Sequence, residues 1–144
     1  MKRMILAVLL LVATVALADQ ILTATVQAPP NADLTLNLSL SVPQTHKVSP
    51  EAPLKIEAVA EGAAVAGVPE PFKGKGKQLP YALTIKTAGA GNGVVNVKVS
   101  AFACQKDNEG VCQMVNVEAK IPVQLTAGAA VAWDIPLPVK LMIQ

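Results

Sequence analysis

One arginine, Arg3, and one histidine, His46, are all the sequence contains of either residue. Without a second histidine no histidine-rich metal site can be assembled. Without arginine in the body of the chain there is no bidentate clamp for phosphate or carboxylate. Aromatic residues make up 3% of the chain, as Phe72, Phe102, Tyr81 and Trp133. A core must therefore come from Val, Leu, Ile and Ala, a composition that favours strands. Convincing helical periodicity is missing throughout. So is a glycine-rich phosphate loop, because Gly89 to Gly93 carries no lysine and leads into no helix.

What is present begins with an address. Lys2 and Arg3 precede an apolar run from Met4 to Leu17, broken only by Thr14, and Ala16-Leu17-Ala18 offers small residues at a cleavage site. The pattern is that of a secretory signal peptide, residues 1–18, with Asp19 as the mature N-terminus. The run is too short for a transmembrane anchor, which needs about 20 apolar residues. A periplasmic or secreted protein with no stable membrane anchor is expected. Without Lys2 and Arg3 the formal charge falls from +2 to zero, so a nucleic-acid partner has no electrostatic support. Residues 19–144 have the length of one domain with a real core.

Along that domain, apolar and polar residues alternate with a period of two. Ile21 to Gln27 is an edge-strand candidate, stopped by Ala28-Pro29-Pro30-Asn31. Leu34, Leu36, Leu38, Leu40 and Val42 form one face of a strand that ends at Pro43. Gln44 to Pro53 reads as a loop carrying a solvated His46. Leu54, Ile56 and Ala58 make a third strand. Residues 61–77, mostly Ala, Gly, Pro and Lys, are too rich in turn residues to be regular throughout, and Lys73 to Lys77 read as a flexible, solvated basic loop. Leu79 to Thr87 alternates again, and Val131 to Leu137 forms a last strand confined to an edge by Pro136 and Pro138. Short strands with punctuating turns predict an all-β, antiparallel, immunoglobulin-like β-sandwich.

The centre of the sequence is Val94 to Leu125, which holds both cysteines, Cys104 and Cys112. In an exported chain two cysteines favour a disulfide over a metal site. If they pair across a hairpin, partner positions sum to 216. Val95, Val97, Val99 and Ala101 then meet Ile121, Ala119, Val117 and Val115 on one apolar face. Lys98 meets Glu118 and Phe102 meets Met114 on the other. The cysteines take the polar parity, so the disulfide is expected on the outer face. A bond there can be a staple, worth about 2–3 kcal/mol for so short a loop, or a site of thiol–disulfide exchange. Lys106 is the only nearby cation in the sequence, opposed by Asp107 and Glu109. Binding of Cu(I) by the two thiols and Met114 is a weaker third reading.

Val99-Ser100-Ala101-Phe102-Ala103-Cys104, the acidic turn and Cys112 resemble the N-terminal periplasmic domain of the thiol:disulfide interchange protein DsbD. The chain is also similar to the C-terminal β domain of NHL-repeat thioredoxin-like proteins, through Leu38 to Pro43 and Ser49 to Leu54. The resemblance implies that residues 19–144 form an immunoglobulin-like domain with Cys104 and Cys112 as the catalytic pair. It implies electron exchange with exported thioredoxin-like partners. It also implies a cap residue over the disulfide, and Glu70 to Lys75 places Phe72 in that role. From the residues themselves no cofactor or bound metal is expected. The chain departs from the DsbD pattern in its longer cysteine spacing and in Gln113-Met114, where a proline is usual. The alternative reading is a non-catalytic interaction module with a structural disulfide.

Overall fold

The computed structural model describes residues 20–107 and 110–141; residues 1–18, expected to be a signal peptide, lie outside them. Eleven strands and one short 3-10 turn follow in order: β1 (Gln20–Leu22), β2 (Val26–Ala28), β3 (Asp33–Ser41), β4 (His46–Val48), β5 (Pro53–Gly62), β6 (Val65–Gly67), β7 (Phe72–Lys75), the turn Gly76–Gln78, β8 (Tyr81–Thr87), β9 (Asn92–Gln105), β10 (Cys112–Leu125) and β11 (Ala132–Pro138). They form two sheets. One has the order β1-β10-β9-β5-β7, with β2 also on β10 and β4 also on β9. The other has the order β11-β3-β8-β6.

The two sheets bury their alternating apolar faces against each other. Leu34, Leu36 and Leu38 of β3, with Leu83 and Ile85 of β8, supply one inner layer. Leu54 and Ile56 of β5, Val95, Val97 and Val99 of β9, and Val117 and Ile121 of β10 supply the other. The expected all-β sandwich is therefore present, built from aliphatic side chains. It is not wholly antiparallel. β1 and β2 run parallel to β10, and β11 runs parallel to β3. These parallel pairs join the two ends of the chain to strands remote in sequence, which no hairpin turn could do.

Other boundaries differ for local reasons. The stretch from Ile21 to Gln27 is two short strands, separated where the Thr23 amide and hydroxyl both donate to the Lys120 carbonyl. Trp133 Nε1 donates to the Gln27 carbonyl at 2.9 Å, which ties β11 across to β2. The region 61–77 contains β6, β7 and the 3-10 turn. Lys73 to Lys77 is not a loose basic loop. Lys75 and Lys77 both pair with Glu51, at 3.1 and 3.5 Å. The amides of Gly76 and Lys77 donate to the carbonyls of Ala52 and Pro50. Gly76 packs so tightly on the Ser49 carbonyl that a Cβ could not be accommodated.

Candidate functional site

β9 and β10 pair from Cys104↔Cys112 through Asn92↔Gln124 with every sum equal to 216, as the hairpin register requires. Ser100 Oγ donates to Asn116 Oδ1 at 2.7 Å, and Lys98 reaches Glu118 at 3.6 Å, both on the outer face. The cysteines are joined by a disulfide, with Cα atoms 4.0 Å apart. The Gln105 amide donates to the Val111 carbonyl. That bond defines Cys104–Cys112 as a non-hydrogen-bonded pair, the position where facing side chains approach most closely.

The two halves of the disulfide have different surroundings. Cys104 lies inside the sheet and is 4% exposed. On its free flank β4 pairs with β9, His46 opposite Gln105, Lys47 opposite Cys104 and Val48 opposite Ala103. The Ser49 amide donates to the Phe102 carbonyl and the Lys106 amide to the Thr45 carbonyl. These bonds bracket Lys47–Cys104 as a hydrogen-bonded pair. Cys112, by contrast, is exposed. Val111 and Met114 beside it are also exposed, at 45% and 57%, and give it an apolar collar. A thiolate arriving from solvent meets Cys112 first, and access decides which sulfur is attacked.

Lys47 is the residue that sequence reasoning missed. Its position opposite Cys104 places its side chain on the disulfide's face of the sheet. Only the β4–β9 pairing brings the two together, and three residues in a proline-flanked segment gave no periodic signal. Lys106 is exposed at the hairpin tip next to Asp107, while Glu109 lies outside the described residues. His46 is not a solvated loop residue. It is 3% exposed, opens β4, and has Nδ1 2.8 Å from Thr45 Oγ1. Being opposite Gln105, it takes the core-facing parity, the other face of the sheet from the disulfide.

Phe72, the cap candidate, lies on β7 opposite Ile56, which in turn faces Val99. Its ring stacks on Tyr81, with centroids 4.4 Å apart and planes at 23°. From strand spacing and rise it stands on the order of 20 Å from Cys104, two strands over and five residues along. The element that flanks Cys104 is β4, not the Phe72 segment. Among the described residues no group of three or more His, Cys, Asp or Glu side chains could hold a metal ion. Among the same residues no helix is long and apolar enough to cross a membrane.

The arrangement is a disulfide with one buried and one exposed cysteine, on the outer face of the β9–β10 hairpin. Glu51, two residues before β5, is held below the usual carboxylate range by its hydrogen bond to Lys75 and by the nearby Lys77 charge. It therefore fixes the 3-10 turn to the β4–β5 connection at neutral pH. No protein-family model matches the chain, and no curated protein matches it.

Proposed function

We propose that this protein is an exported thiol–disulfide interchange domain, with Cys104 and Cys112 as its redox pair and thioredoxin-like proteins as partners. The observation that carries the reading is the asymmetry of the pair, Cys112 exposed and Cys104 buried beside Lys47. In the exchange, a partner thiolate attacks Cys112 Sγ and forms a mixed disulfide. The Cys112–Cys104 bond breaks, and its electron pair leaves on Cys104 as a thiolate next to a lysine ammonium. A second partner thiol then attacks the partner's own sulfur in the mixed disulfide. That step releases Cys112, oxidises the partner and leaves the domain reduced, and every step runs in reverse when the domain is the donor. The resemblance to the DsbD domain and the signal-peptide pattern support an exported setting for this chemistry.

The second reading is a non-catalytic interaction module whose disulfide staples the β9–β10 tip. The burial of Cys104 between β4 and β10 favours it. The reduction potential of Cys104–Cys112, read by equilibration against glutathione, separates the two. A value above about −300 mV supports exchange, and a value below it identifies a structural bond.

A further inference from the structure

Resting on the exchange reading, we infer that the partner docks as an extended strand added to the open flank of β10 beside Cys112. The fixed hairpin pairing determines which way each backbone group points. Because Cys104–Cys112 is a non-hydrogen-bonded pair, Gln113, Val115 and Val117 bond to β9, and Met114 and Asn116 direct their N–H and C=O groups outward. The Lys120 carbonyl, of the same parity, accepts from Thr23 on that outer flank. β1 covers the flank from Glu118 to Lys120, and β2 covers it from Val123 to Leu125. Among the described residues no strand pairs with it between Cys112 and Val117. A partner strand at Met114 and Asn116 would continue, along the same edge, an interface that the fold already builds with its own N-terminal strands.

The space beside this edge is shaped for such a strand. A groove of about 690 Å³ runs between β10 and the segment that follows β11, lined by Ile21, Met114, Asn116, Val139 and Leu141 among others. Side chains of an added strand would alternate in direction. One parity enters the groove against Ile21, Val139 and Leu141. The other lies on the outer face, level with the disulfide. The fitting occupant is an extended segment with a cysteine on one parity and apolar residues flanking it on the other.

Chemistry selects the same side. Exchange requires the three sulfurs nearly in line, with the attacking sulfur opposite the leaving one. The Cys112–Cys104 bond runs across the strands, from β10 to β9. The attacker on Cys112 must then come from the flank of β10 that faces away from β9. Attack on Cys104 would have to come from the flank that β4 and Lys47 occupy. Strand addition thus supplies binding through main-chain hydrogen bonds and aims the partner's sulfur in one step.

The test uses residues 19–144 carrying Cys104→Ser, and synthetic peptides whose single cysteine is activated as a nitrothiobenzoate disulfide. Attack by Cys112 on the activated cysteine releases the coloured thiol. One peptide alternates valine and threonine around the cysteine. A second is identical except for N-methyl groups on the amides that would bond to β10. The expected result is a rate about tenfold higher for the first, a factor equivalent to about 1.4 kcal/mol. Met114→Pro, which removes an outward N–H, should bring the ratio near one. The same ratio, read on the intact disulfide with dithiol versions of the peptides, separates docking from any instability of the variant. Equal rates for both peptides overturn strand docking even where small thiols reduce the disulfide readily. A failure of small thiols to reduce it above the structural range overturns the exchange reading instead. A ratio that appears only after residues 142–144 are deleted, or a concentration-dependent dimer that Met114→Pro abolishes, assigns the edge to the chain's own tail or to a second copy and also overturns the inference.

Discussion

Lys47 and Cys104 form a hydrogen-bonded cross-strand pair between β4 and β9, with their side chains on the same face of the sheet. The pair brings a positive charge to the side of the disulfide away from Cys112. In the proposed exchange, a thiolate leaving at Cys104 would be stabilised by that charge, and a better leaving group would accelerate the reaction. Lys47→Met should slow reduction of the disulfide by dithiothreitol about threefold, an effect of screened charge at a surface. Lys47→Arg should restore the rate. Stopped-flow reduction monitored by thiol release checks both, and identical rates for all three proteins would mean that Lys47 only packs.

The two single-cysteine variants should differ sharply. Cys104→Ser leaves the exposed Cys112, and Cys112→Ser leaves a cysteine that is 4% exposed. Modification by an aromatic disulfide reagent should be at least about tenfold faster for Cys112. Each variant should lose about 2–3 kcal/mol of stability in urea titration, the loop-closure contribution of so short a ring. Equal modification rates would remove the asymmetry on which the direction of attack depends.

Acid should loosen the support under β4. The Glu51 carboxylate is held below its ordinary range of about 4.3, first by hydrogen bonding to Lys75 and then by the Lys77 charge. A carboxylate depressed in the folded state contributes stability above its unfolded pKa and loses it as pH falls through its folded pKa. Hydrogen exchange at the Gly76 and Lys77 amides, bonded to Ala52 and Pro50, should therefore accelerate relative to the intrinsic rate as pH falls below the ordinary glutamate range. In Glu51→Gln this extra acceleration should be absent.

Gly76→Ala should destabilise the protein by about 1–3 kcal/mol, because the new methyl meets the Ser49 carbonyl and must move backbone. Gly67→Ala is the matched control. Nothing lies within 4 Å of a Cβ there, and its unfolding midpoint should change little. Paired thermal melts decide the comparison, and equal shifts would show that the 3-10 turn yields without cost.

The hairpin was legible because its apolar parity is unbroken from Val95 to Ala103 on one strand and from Val115 to Leu125 on the other, so only one register buries the valines and also pairs Lys98 with Glu118. β3 and β8 were legible for the same reason. β4, β6 and β7 are three or four residues long, too short to display a period, and they exist because neighbouring strands offer unpaired backbone. The parallel pairing of β1, β2 and β11 depends on partners near the opposite end of the chain, and no local pattern encodes it. That is why the sequence placed the disulfide on the correct face yet did not reveal Lys47, and why Phe72 was assigned to a cap that its stacking on Tyr81 does not serve.

The parallel terminal strands also set an order of events during folding. Gln20↔Glu118, Val26↔Val123 and Trp133↔Leu36 each join residues separated by about two thirds of the chain. Cys104 and Cys112 are only eight apart. Closing the short ring costs far less chain entropy than closing the long ones, so the β9–β10 hairpin can organise first and serve as the template on which both ends later dock. The dominance of long-range strand pairing places this chain among slow folders, on the millisecond-to-second scale. A hairpin that forms first would leave the flank of β10 bare along its whole length until β1 and β2 dock on it.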